Sequence, residues 1–76
     1  MNKERRSVLQ EIRNSLDDII VQIEELKDEE QDALDNMPEG LQQSARGDKM
    51  QAAIDTMDNA VSSIEEARQS LVGAAG

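Results

Sequence analysis

A hydrophobic heptad repeat that changes character halfway along constrains this chain more than any other feature. In the first half, apolar residues recur at Leu9, Ile12, Leu16, Ile19, Ile23 and Leu26, then at Ala33 and Met37. The steps alternate three and four, which is the seam of a coiled coil. In the second half, Met50, Met57, Ile64 and Leu71 mark one line of the repeat. Ala53, Ala60, Ala67 and Ala74 mark the next. One bulky seam and one seam that alternates large residues with alanine predict two helices of one chain packing closely. The predicted fold is all-α, an antiparallel two-helix hairpin with an alanine-lined second helix.

The breaks in the repeat set the boundaries. Helix 1 is expected over about residues 3–36, because nothing from Lys3 to Asp35 is glycine or proline. Pro38 disfavours helix at the residue before it, and Gly40 adds a second stop. A loop over about 37–47 follows, and Pro38 and Glu39 within it suit a first helical turn. Helix 2 is expected over about 48–72, with Asp48 as cap and Gln51 as its capping-box partner. Ser44 is the alternative start. Residues 73–76 read as a fraying tail.

The chain has 76 residues, enough for one small domain, and it holds no Phe, Tyr or Trp. Its core must come from smaller side chains, and two helices alone bury little. Ile20 and Leu34 lie beside the seam on helix 1, Ile54 and Val61 beside it on helix 2. Three apolar positions per heptad are a bundle face rather than a strict two-helix seam. The expectation is a homodimer closing a four-helix bundle through these four residues. The alternative is that they flank the hairpin seam half exposed. Setting Met37 opposite Met50 puts Ile23 against Ile64 and Leu16 against Leu71. Residues 1–11 then overhang, with Val8 and Leu9 uncovered on a basic segment.

Composition excludes most chemistry. Without Cys or His there is no disulfide, thiolate or imidazole metal site, thiol nucleophile or imidazole base. Asp28, Glu30, Asp32 and Glu39 superficially space like a calcium loop, but Ala33 stands where that loop needs glycine. No metal, cofactor or small molecule is implied. Paired acids without a cleft do not make an active site, so a non-enzymatic protein is expected. No apolar run reaches membrane-spanning length, and no signal-peptide core follows the charged start.

The net charge of −9 is unevenly spread. Residues 14–35 hold nine acids against Lys27, a local charge of −8, whereas residues 1–13 carry +2. Glu11, Asp18, Glu25 and Asp32 recur every seven residues, and Asp17, Glu24, Asp28 and Asp35 occupy adjacent lines. Acids three or four residues apart stand about 5–6 Å from each other, near the spacing of phosphates on a nucleic-acid strand. Such density argues against direct nucleic-acid binding, which needs Lys and Arg. It points instead to a basic protein partner met through Asp18, Glu24, Glu25, Asp28, Asp32 and Asp35, unless the face is only solvated. Glu30 falls on the seam, where Arg46 or Lys49 is expected to answer it. In the loop, Met37, Pro38, Leu41 and Arg46 read either as a cluster capping the core, closed by Met37 and Leu41, or as a recognition tip.

One stretch is familiar. Asp28-Glu29-Glu30-Gln31, then Asp35-Asn36-Met37-Pro38-Glu39, Leu41-Gln42, Ser44 and Arg46-Gly47 resembles a group of small uncharacterised proteins from bacterial genomes and their phages. Met50 through Ala67, with Ala53-Ile54-Asp55 and Ser63-Ile64-Glu65-Glu66-Ala67, is similar to them too. The resemblance spans about half the chain, distinctive in the loop and generic in the helices. The group carries no assigned activity and implies only a source, bacterial genomes and their phages or mobile elements. The cytoplasm of the bacterial host is the location expected from the lack of a membrane-spanning run or signal-peptide core. Such genes commonly encode host-interaction or counter-defence factors, and it is the acidic face that points to a DNA-mimic-like inhibitor of a basic nucleic-acid-handling protein. The alternative is a structural or assembly protein docking through the apolar stripe and basic N-terminus.

Overall fold

The computed structural model describes residues 1–76. Helix α1 runs Lys3–Asp35, α2 is a single turn over Glu39–Gln42, and α3 runs Ala45–Ala75. The long helices α1 and α3 pack against each other as a hairpin. It measures 58 × 15 × 11 Å, two helices lying side by side and little more.

Local chemistry explains each end. Asn2 caps α1, its side-chain oxygen accepting the Arg5 amide at 2.8 Å. At the other end the Asn36 amide reaches Asp32 O at 3.0 Å and the Met37 amide reaches Leu34 O at 3.1 Å. Pro38 precedes α2 and accepts the Leu41 and Gln42 amides at 2.8 and 3.1 Å. Ser44, not Asp48, caps α3 by accepting the Gly47 amide at 3.4 Å. Its hydroxyl also donates back to Leu41 O. Gln51 is occupied with Asp55 at 3.0 Å, so no capping box forms at Asp48. The expected tail is helical through Ala75, and the backbone ladder continues to its end, where the Gly76 amide reaches Val72 O at 3.2 Å.

The seam departs from the expected one in one of its two lines. On α1 the line Leu9, Leu16, Ile23, Glu30, Met37 faces inward and is half-buried. Leu9, expected to be uncovered in an overhang, is covered because α3 continues to Ala75, whereas Val8 stays 52 % exposed. The second inward line is Arg13, Ile20, Lys27, Leu34, one residue later than Ile12, Ile19, Leu26, Ala33. On α3, Met50, Met57, Ile64 and Leu71 face inward, joined by Ile54, Val61, Arg68 and Ala75; of the alanines before them only Ala53 is half-buried, and Ala60, Ala67 and Ala74 are exposed. The most buried hydrophobics are therefore Leu34, Ile54 and Val61, at 8, 5 and 7 % exposure. With half-buried Ile20 they form the hairpin's own core and are not free to make a dimer. The reason is volume. Turning α3 to bury Ile54 and Val61 removes more apolar surface from water than burying Ala53 and Ala60.

Candidate interaction surfaces

Three surfaces surround the hairpin, and the seam's rotation decides what each one carries. The first is the outward side of α1. Asp18, Glu25, Asp28, Asp32 and Asp35 are exposed there, and Glu24 is exposed toward the adjoining flank, one heptad on from Asp17. Their exposure follows from position: Asp18, Glu25 and Asp32 lie on the line opposite the seam. Gln31 steadies Asp35, donating from Nε2 to its carboxylate at 2.9 Å. None of the six makes an ion pair; the two ion pairs of the fold, Lys27–Asp58 and Arg68–Asp17, use other acids.

The charges of α1 run against its own dipole. Lys3, Arg5 and Arg6 sit at the N-terminus, where positive charge is disfavoured, beside a single first-turn acid, Glu4. Asp32 and Asp35 sit in the last turn, which holds no basic residue. Each such placement costs about 0.3–1 kcal/mol relative to the reverse arrangement. Neighbouring acids three or four apart cost further tenths. Helix stability therefore does not account for this order of charges.

The second surface is the flank where the ion pairs lie. Lys27 Nζ stands 2.7 Å from Asp58 Oδ1, and Arg68 Nε lies 2.6 Å from Asp17 Oδ1. Both cations come from the inward lines, so their stems cover the seam while their heads reach the flank. The Lys27 ammonium is held above its ordinary value of 10.5, first by its hydrogen bond from Nζ to Asp58. Partial desolvation opposes this, and the charges of Asp58, Asp28 and Glu24 add to it. Glu30 meets neither Arg46 nor Lys49. It lies half-buried in the seam, at the edge of a shallow groove with Leu26, Glu29 and Met57.

The sequence matches no protein-family model, no curated protein and no solved structure.

The third surface is the flank opposite the ion pairs, and sequence reasoning placed its residues in the core. Ile12, Ile19 and Leu26 are 43, 42 and 58 % exposed, and Ala60, Ala67 and Ala74 are exposed as well. The signal that separates the lines was present: only α3's other candidate line carries the branched Ile54 and Val61.

The loop divides between the two readings made of it. Met37 is half-buried at the mouth of the core, but Leu41 is 53 % exposed and closes nothing. Pro38 and Arg46 are exposed too. The capping is done by Gln42 and Gly47, which the sequence marked only as members of the distinctive loop. Gln42 Nε2 donates to Met37 O at 3.0 Å and reaches Asp35 O at 3.5 Å, answering carbonyls left open by the end of α1. Gly47 is buried, and a Cβ there would stand 2.0 Å from Gln42 O. The conformation at Gly47 is ordinary helix; only the close approach of α2 requires glycine. No helix is long and apolar enough to cross a membrane.

Proposed function

We propose that this chain is a non-enzymatic interaction protein of a phage or mobile element. It acts as a homodimer in the bacterial cytoplasm. Its acidic α1 face binds and blocks a basic, nucleic-acid-handling host protein. The observation that carries this reading is the unpaired outward acid line, held in an order that opposes both the helix dipole and its own neighbours. Carboxylates about 5–6 Å apart on a rigid helix offer a basic groove the charge pattern of a nucleic-acid strand. The chain binds no nucleic acid or small molecule itself.

The test replaces Glu25 by Gln and Asp28 and Asp32 by Asn. All three side chains are exposed, so stability holds or rises by tenths of a kcal/mol as like-charge pairs vanish. Affinity for a partner captured from the host falls strongly, and its salt dependence flattens. Wild-type affinity of the triple variant at low salt refutes the acidic-face reading. The second reading, an assembly protein docking through apolar surface and the basic N-terminus, draws on exposed Ile12, Ile19 and Leu26 and on residues 1–8, all exposed. In that case the triple variant keeps its partner, and substitutions on the apolar flank lose it.

A further inference from the structure

We infer that the open apolar flank is covered by a second copy of this chain, with Ile12, Ile19 and Leu26 of each copy seated on Ala74, Ala67 and Ala60 of the other. The inference deepens the homodimer part of the proposed function and is independent of the acidic face.

The two lines share one face. On α1, Ile12, Ile19 and Leu26 each precede a residue of the second inward line, whereas Asp17 follows a residue of the first. At 100° per residue these positions fall on opposite flanks of the seam. On α3, Ala60 and Ala67 likewise precede inward residues, whereas Asp58 follows one. The ion pairs place Asp17 and Asp58 on a common flank. Because the helices run antiparallel, the bulky line of α1 and the alanine line of α3 then lie together on the other.

They are also level. Lys27 opposite Asp58 brings Leu26 within one residue of the height of Ala60. Asp17 opposite Arg68 does the same for Ile19 and Ala67. Each layer of the face thus offers one large and one small residue. A twofold axis along the long dimension lays each large residue over a partner's alanine. This makes the face self-complementary, as a symmetric interface must be. It also puts all facing helices antiparallel and both loops at one end.

Surface area and charge argue for this occupant. A folded monomer of 8.4 kDa exposes about 4600 Å² by the usual scaling, and this chain exposes 5549 Å². An elongated hairpin with about 900 Å² more surface than a compact monomer has room to cover the roughly 800 Å² per partner of a stable interface. The rim of the face is Ser15 and Gln22 on α1 and Thr56, Ser63 and Ser70 on α3, and its charges are Glu29, Lys49 and, in the groove beside Leu26, half-buried Glu30. The acid line opposite the seam stays in water, so pairing does not bring the two −8 segments face to face.

Sedimentation of the full chain at 10–100-fold dilution steps from about 100 μM reads the outcome, a range that brackets ordinary dimer affinities. Wild type is expected as a dimer. Ile19→Asp is expected to sediment as a folded monomer, while Val21→Asp, exposed on a different side of α1, stays dimeric. Ala67→Leu keeps its helix content and weakens the dimer at least tenfold, because a second large residue then meets Ile19. The chain has no Cys, so a single label at Leu41→Cys reads the geometry. Loops at one end give a label separation within about 30 Å, against about 50 Å for opposite ends. A wild-type monomer at the highest concentration overturns both the face and self-association. A dimer indifferent to Ile19→Asp and Ala67→Leu, or one with distant loops, overturns the face and leaves self-association standing.

Discussion

Replacing Gly47 with alanine sets two known magnitudes against each other. Gly47 is the third residue of α3, and in an unobstructed helix alanine is better than glycine by about 1 kcal/mol. Here the new Cβ would lie 2.0 Å from Gln42 O, 2.6 Å from Gln42 C and 2.9 Å from Gln42 Cα. All three are backbone atoms, so no side chain can swing aside. Ordinary contact begins at 3.4 Å, so α2 must retreat by more than an ångström. Overpacking of this kind costs about 1–3 kcal/mol. The retreat also pulls Gln42 Nε2 away from Met37 O, a hydrogen bond contributing about 1 kcal/mol. The helix-propensity gain offsets only part, leaving a net loss of about 1–3 kcal/mol. In a domain of this size each kcal/mol shifts Tm by about 4–8 °C, so Tm should fall by about 10 °C. Thermal melts followed by circular dichroism, at one fixed protein concentration, measure it. Gly73→Ala is the control: nothing lies within 4 Å of its Cβ position, so it should stabilise by about 0.5–1 kcal/mol. A Gly47→Ala variant as stable as wild type would mean that α2 does not press on α3, and that the loop is no built cap.

Two further outcomes follow from the seam. Ile54→Ala should cost about 2–4 kcal/mol in denaturant unfolding, since Ile54 is 5 % exposed in the hairpin seam; a loss below 1 kcal/mol would place it on the surface instead. The Lys27 ammonium has its pKa raised in the fold, so its contribution is fully present below 10.5 and fades as pH rises through the higher folded value. Tm measured upward from pH 9 should therefore show a small alkaline loss that Lys27→Gln abolishes, and an unchanged slope in that variant would dissociate the pair from stability.

The hairpin was legible in the heptad repeat alone. A repeat stepping three and four, broken only around Pro38 and Gly40, leaves one way to bury a stripe on each of two long helices. It also determined that Asp18, Glu25 and Asp32 point outward, because the shared seam line through Leu16, Ile23 and Met57 was legible and those acids lie behind it. It did not determine which neighbouring line joins that seam. Taken alone, α1 favours Ile12, Ile19 and Leu26, since the competing line holds Arg13 and Lys27. Taken alone, α3 favours Ile54 and Val61 over its alanines. Two helices in contact must turn together, and only the packed pair resolves the conflict. Lys27 and Arg68 extend their charged ends to Asp58 and Asp17, so their line can enter the seam, whereas Ile54 and Val61 have no such escape from water. The bulky α1 line was left outside as a result. Packing also made Gly47 and Gln42 structural, because their role is a close approach between elements, which the local sequence pattern does not encode.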